Sequence, residues 1–475
     1  MKIQELINTS AKGGTVIFFS VMLRVVIGFA TQVALARMLA PEIFGDIAFV
    51  ATIALFLNAL SDLKADVYII QQTTCDPQRA VNVAFTLELV AALAMLGFVF
   101  TFAPSVMSVL GREELTLYVQ VLALSFLYNP FSRPRSLLER ELKFLRAKIP
   151  SIVAQVIASG SALTLAYHNF GIWSLLWWRL CPMICEVTIL WLNTSVKPKL
   201  CWDTAVAKAL INFSGPLIAS AFLSFISYNM DYFIVGHYLS DGSMELGYYW
   251  LGFQAAVYFL MARQVLYGVL FPVFSRIEDM HLKARAFRQF THAVSGIFLV
   301  IVIFMVSYGR DLIMFVYGNR WEPAVLPFQI VMIVVLIRAT NANLGYYFNS
   351  SGNTKPEFIS SLLTTVLLAP AAYFGTIYFG IIGAASSVLV VQLITSTLLY
   401  EKYVKPMVGE GAFHYLARPC SIAIVCLITT LVLFECSAAI YVRILVTILL
   451  LMLAYLVLLK DVLADIRRAL RMLLP

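Results

Sequence analysis

Four arginines fall inside long apolar stretches of this 475-residue chain: Arg24, Arg179, Arg263 and Arg338. A charge at the centre of a membrane helix costs roughly 2.5–3.5 kcal/mol on insertion scales, so such a residue faces a wet cavity, meets a partner or snorkels to an interface. Three acids lie in comparable stretches, Glu88, Glu186 and Asp231. On one reading the arginines pair with these acids, and Glu88 and Asp231 are the candidate charge partners or coupling groups. On the other, Arg24, Arg263 and Arg338 line a cationic cavity for an anionic substrate. A phosphate or diphosphate suits such a cavity because a guanidinium fork binds it through two parallel hydrogen bonds.

No other pattern offers chemistry of its own. There is no Gly-x-x-x-x-Gly-Lys-[Ser/Thr] loop to cradle ATP and no Gly-x-Ser-x-Gly elbow. The histidines His168, His237, His281, His292 and His414 are scattered without metal-ligand spacing. Cys181 and Cys185 lie one helical turn apart, but no His or carboxylate completes a ligand set, so buried free thiols are expected. The aromatic clusters Trp173, Trp177, Trp178 and Tyr248, Tyr249, Trp250 fit an interfacial belt or helix packing, or stacking on sugar rings. The chain is expected to be a non-enzyme without cofactor or metal.

The elements that carry these residues are membrane helices. The chain is 61% hydrophobic and only 13% charged, with mean hydropathy +0.86, too little polar material to cover a soluble protein of this length. Apolar runs long enough to cross roughly 30 Å of hydrocarbon recur throughout. They predict an all-α membrane protein of fourteen spans: 14–36, 43–63, 81–104, 115–131, 149–167, 171–193, 211–235, 246–271, 291–309, 323–347, 357–378, 380–400, 416–434 and 438–459. The separations at His168-Asn169-Phe170 and at Phe379 are short enough to require tight antiparallel hairpins. Arg24 interrupts the first apolar run, which is therefore expected to stay in the mature protein rather than be cleaved as a signal peptide.

Charge sets the orientation. With the N-terminus inside and the spans alternating, the inner segments hold 25 Lys and Arg and the outer ones five: Arg37, Arg112, Arg310, Arg320 and Arg443. Both termini are thus expected in the cytoplasm. The net charge of +8 follows from this loop bias and speaks for membrane lipids, not nucleic acid, as the polyanion nearby. The densest inner loop, 132–148, carries six cations. The segment 460–475 places Leu463, Ile466, Leu470 and Leu473 on one face, as in a helix lying at the cytoplasmic interface.

The two halves echo each other. Residues 37–48 and 237–250 each read as a span, a short turn with an acid and a glycine, and the next span; Gly45 and Gly247 are 202 residues apart. Phe170-Gly171-Ile172 opens the sixth span and Phe379-Gly380-Ile381 the twelfth, at an offset of 209. Two six-helix lobes are expected, 1–205 and 206–406, related by a pseudo-two-fold axis along the membrane normal. A third segment, 407–475, adds a helix pair and the amphipathic tail.

Several blocks in order resemble the polysaccharide transport family of the multidrug/oligosaccharidyl-lipid/polysaccharide exporter superfamily. They are Lys12-Gly-Gly, Leu35-Ala-Arg-Met-Leu-Ala-Pro-Glu-Ile-Phe-Gly45, Ile69-Ile-Gln-Gln, Asn229-Met-Asp231-Tyr-Phe-Ile-Val-Gly, Leu246-Gly-Tyr, Leu270-Phe-Pro-Val-Phe-Ser275, Val316-Tyr-Gly-Asn-Arg-Trp-Glu-Pro-Ala324 and Phe379-Gly-Ile-Ile-Gly-Ala384. The resemblance implies a bacterial inner-membrane flippase for undecaprenyl-diphosphate-linked oligosaccharide repeats, working by alternating access, with Arg24 the best match to the family's cationic cavity. It implies exopolysaccharide, capsule or O-antigen synthesis, with a lipid-linked anionic oligosaccharide as cargo and polymerase and chain-length proteins as partners. A cation-coupled drug exporter needs buried acids where the first span has Arg24. A polymerase or ligase needs a larger outer loop than the dozen or so residues present.

Overall fold

The computed structural model describes residues 3–71, 76–194, 197–239, 242–276, 279–350, 355–435 and 440–454, and among them it is built of helices throughout. Ten of these are long and apolar enough to cross a membrane, so the chain is a multi-pass membrane protein. The expected tail 460–475, together with Cys75 and Cys436, lies outside the described residues. The chain divides into two compact units, one of residues 1–237 with 241–247 and one of 238–240 with 248–475.

The first unit contains α1 (Ile3–Met38), α2 (Pro41–Ser61), α3 (Ala65–Gln71) and α4 (Pro77–Val109). They are followed by α5 (Thr116–Ala123), α6 (Tyr128–Phe131), α7 (Arg133–Arg140), α8 (Phe144–Tyr167), α9 (Ile172–Asn193) and α10 (Thr204–Tyr238). The start of α11 (Gly242–Arg276) belongs to it as well. Where one span was expected over 115–131, α5 and α6 are joined by a 3-10 turn, Leu124–Leu127. Pro130 follows, and a proline without an N–H cannot sustain the hydrogen-bond ladder of an α-helix. The expected hairpin between α8 and α9 forms. Asn169 takes φ 61° and Gly171 φ 54°, ψ −124°, a conformation that side chains disfavour. The first turns of α10 pack in this unit too, Val206 and Leu210 closing a core with Ala65, Ile69, Val81 and Leu137.

The second unit contains the rest of α11, then α12 (Met280–Ser307), α13 (Gly309–Tyr317), α14 (Val325–Ser350) and α15 (Lys355–Leu399). It ends with α16 (Lys405–Val408), α17 (Arg418–Glu435) and α18 (Ile440–Ala454). The helix α14 is its axle: every residue from Gln329 to Ile337 is buried, against α12, α15 and α17. The element α15 holds two of the expected spans. It reverses at Gly380 (φ 58°, ψ −144°), and Ser387 Oγ donates to the Ala371 carbonyl across the two arms at 2.7 Å. The glycines of the two Phe-Gly-Ile turns therefore share a positive φ with a strongly negative ψ, while the left-handed residue two positions earlier, Asn169, belongs to the first turn alone.

Candidate functional site

The arginines singled out by sequence fall in both units. Arg24 sits in the middle of α1, where Met22, Leu23 and Val26 are exposed like itself. It makes no ion pair among the described residues. Arg338 lies on the buried axle α14, half-buried, its guanidinium 5.6 Å from the Phe253 ring centre on α11, a distance at which cation and ring attract. Arg263 lies on α11. Asp231 is buried on α10.

Glu88 and Glu186 have partners that sequence reasoning did not assign. Glu88 Oε2 is 2.7 Å from Arg133 Nε, with side-chain exposures of 1% and 4%, so the pair is sealed from water. Arg133 also donates to the Asn129 carbonyl at 2.8 Å and stands 3.7 Å from Asp66. Glu186 receives Arg135 at 2.6 Å and the Tyr128 hydroxyl at 2.9 Å. Arg140 donates to the Ile69 carbonyl, at the end of α3, at 2.7 Å, and Lys148 pairs with Glu139 at 2.7 Å. The basic loop 132–148 is thus fastened to the helices beside it through three of its six cations, Arg133, Arg135 and Arg140, while Lys148 with Glu139 braces the loop internally. The only signal in the sequence was coincidence of side: two membrane acids near the inner ends of their spans and a cationic inner loop.

At the opposite end of the first unit a second cluster gathers small residues. Arg112 donates to Ser243 Oγ at 2.6 Å and to the Gly236 carbonyl at 2.5 Å; Ser243 Oγ donates to Asp46 at 2.5 Å. The Arg112 guanidinium also lies 5.0 Å from the Phe49 ring centre. Beneath this clasp Gly45 and Gly247 face each other. A Cβ on Gly45 would strike the Ser243 carbonyl, and one on Gly247 the Pro41 carbonyl. The glycines that mark the internal repeat therefore meet at one helix crossing.

A cavity of about 470 Å³ opens beside this crossing, between α2, α4, α5 and α10. Phe56, Phe98, Phe102, Phe225 and Phe233 wall it, with Thr52 and Asn229 among the few polar groups. Such a lining accepts hydrocarbon and gives a diphosphate no charged partner.

Among the described residues these helices form a fold shared with a known multi-pass membrane protein. The structure superposes on a lipid II flippase MurJ in an inward closed conformation with a TM-score of 0.67, covering 95% of this chain and 100% of that one at 14% identity. Residues 34–326 match the polysaccharide biosynthesis protein family, and the chain belongs to it. It is 23% identical over 399 residues to the lipopolysaccharide biosynthesis protein WzxC of Escherichia coli (strain K12), covering 82% of this chain and 80% of the relative. It is 23% identical over 371 residues to the succinoglycan biosynthesis transport protein ExoT of Rhizobium meliloti (strain 1021), covering 77% and 74%. The resemblance drawn from the ordered sequence blocks therefore holds: this is a multi-pass bacterial membrane protein of polysaccharide biosynthesis.

Proposed function

We propose that the protein is a flippase that carries lipid-linked oligosaccharide repeats across the inner membrane for exopolysaccharide, capsule or O-antigen synthesis. The observation that carries this is the family match, together with a transport protein of succinoglycan biosynthesis among the relatives aligned over most of their length. The finer architecture we propose with it has fourteen spans, two six-helix lobes over 1–205 and 206–406, the added pair in 407–475, and both termini in the cytoplasm. Polymerase and chain-length proteins of the same pathway are its proposed neighbours.

In this mechanism Arg24, with Arg263 and Arg338, holds the diphosphate of the carrier. An exposed guanidinium on an apolar helix, with no ion pair among the described residues, supports Arg24 as the first of the three. Charge-assisted bonds to a diphosphate offset the cost of keeping the cation there. Transport then requires that the affinity fall as the lobes rock outward, since a ligand held equally in both states shifts nothing. The test is export of the glycan by cells, or flipping in liposomes, with the protein's abundance measured alongside. Arg24→Ala is expected to lower the rate at least about tenfold, roughly the worth of one lost charged hydrogen bond, and Arg24→Lys to retain part of it. Normal export by Arg24→Ala, or a loss that merely tracks loss of protein, removes Arg24 from the site.

A further inference from the structure

The second unit contains a titratable cluster that transport by Arg24, Arg263 and Arg338 does not use. Beyond α15 the chain enters a π-helical turn, Tyr400–Val404, then α16, then Gly409 in the left-handed conformation (φ 81°). A second π-helical turn, Phe413–Ala417, leads into α17. Such turns are rare and gather at functional sites; here two of them bracket residues 405–412. Glu410 stands between them. Its carboxylate lies 2.7 Å from Arg288 Nη2 and 3.2 Å from His292 Nε2, both on α12.

The imidazole is held in place. Its ring stacks on Tyr415, centroids 4.7 Å apart and planes 26° from parallel. Tyr415 is fully buried, 5.2 Å from Tyr400 and packed with Phe287. The remaining charged and titratable groups nearby have other engagements. Glu401 takes Lys405 at 2.8 Å and the Ala412 amide at 3.0 Å. From α12, Lys283 lies over the Tyr347 ring of α14 at 5.7 Å. From the second π turn, His414 is packed on Phe413, and from α17 Arg418 lies over the same Phe413.

Burial pushes the Glu410 carboxyl up, but the His292 hydrogen bond and the Arg288 charge outweigh burial and hold it below the usual carboxylate range. The carboxylate therefore stays charged around neutrality, where an imidazole changes its charge. Protonated, His292 forms a charge-assisted pair with Glu410; neutral, it retains only a hydrogen bond.

We propose that the Glu410–His292 pair is a proton-operated latch: Arg288 anchors the 405–412 turn to α12 through the same carboxylate, a proton taken up by His292 adds a second charged bond that tightens the turn, and its release loosens it. The ligand of this site is the proton, and the moving part is a segment bounded by two irregular helical turns and containing a left-handed glycine.

Hydrogen exchange of the purified full-length protein, corrected for intrinsic rates, reads the latch directly. Protection of the 405–417 amides is expected to fall by about fivefold between about pH 5.5 and about pH 8, the range of a partly exposed ion pair. His292→Gln should lack this slope at the loosened level, and His292→Lys should lack it at the tightened level. A wild-type profile parallel to that of His292→Gln, or a surviving slope in His292→Lys, overturns the proposal. A second measurement stands on the wild-type fold: the His292 imidazole signal, followed by NMR, should titrate at lower pH in Glu410→Gln. An unchanged midpoint overturns it equally. Neither readout involves a glycan, so their failure leaves the flippase reading untouched, and failure of that reading leaves these expectations in place.

Discussion

A carboxylate sealed in a membrane protein needs a fixed cation, and Glu88 has one in Arg133. Removing one partner of a buried pair leaves an uncompensated charge and costs about 3–5 kcal/mol, whereas neutralising both costs far less. Arg133→Ala is therefore expected to lower the thermal midpoint of the detergent-solubilised protein sharply. Glu88→Gln in the same chain should recover most of that loss. Additive losses in the double variant would show that the two side chains do not act on each other. The sequence disclosed Glu88 as a charge out of place, but not its partner, which lies 45 residues away. Arg133 looked like one of six cations in an orienting loop. What made it specific is the first turn of α7, which brings its guanidinium to the N-terminal part of α4, and that placement depends on packing. Arg24 was the opposite case: a charge in an apolar run is legible without a structure, because its position alone is costly.

At the scale of elements, the turns were more legible than the helices they join. Phe170-Gly171-Ile172 and Phe379-Gly380-Ile381 announce hairpins by separation and glycine, and both glycines adopt φ near the same positive value with strongly negative ψ. Alanine in that region costs about 1–3 kcal/mol. Gly171→Ala and Gly380→Ala should therefore each lower the thermal midpoint. Gly97→Ala is the control: its Cβ would meet nothing within 4 Å, and a helical glycine replaced by alanine gains about 0.5–1 kcal/mol. A Gly380→Ala protein as stable as the wild type would mean that the turn relaxes into another geometry. The short helices escaped the sequence reading for a physical reason. Hydropathy finds apolar length, and neither α3 (seven residues) nor α13 (nine residues) has enough of it. The break within 115–131 was hidden likewise, since a 3-10 turn of Leu124-Ser125-Phe126-Leu127 is as apolar as an α-helical one.

At the scale of the whole molecule, orientation rests on a sum that no single residue decides. Inner segments hold 25 cations and outer ones five under one alternation, and cations near the ends of spans are retained on the cytoplasmic side. The described contacts add a local consistency. The cations that the proposed alternation puts inside, Arg133, Arg135, Arg140 and Lys148, are held at one end of the first unit. Arg112, which the same alternation puts outside, closes the clasp with Asp46 and Ser243 at the other. The helix α4 runs from Pro77 to Val109, a length of roughly 50 Å at 1.5 Å per residue, and it separates these two clusters. Reporter fusions after Gly111 and after Glu141 should therefore give opposite signals, the first active outside and the second inside. A fusion after the last described helix should match the second, because an even number of spans returns the chain to its starting side. Equal signals at Gly111 and Glu141 would break the alternation between α4 and α7, and with it the assignment of the basic loop to the cytoplasm. An outside signal from the C-terminal fusion alone would leave that loop in place and make the number of spans odd.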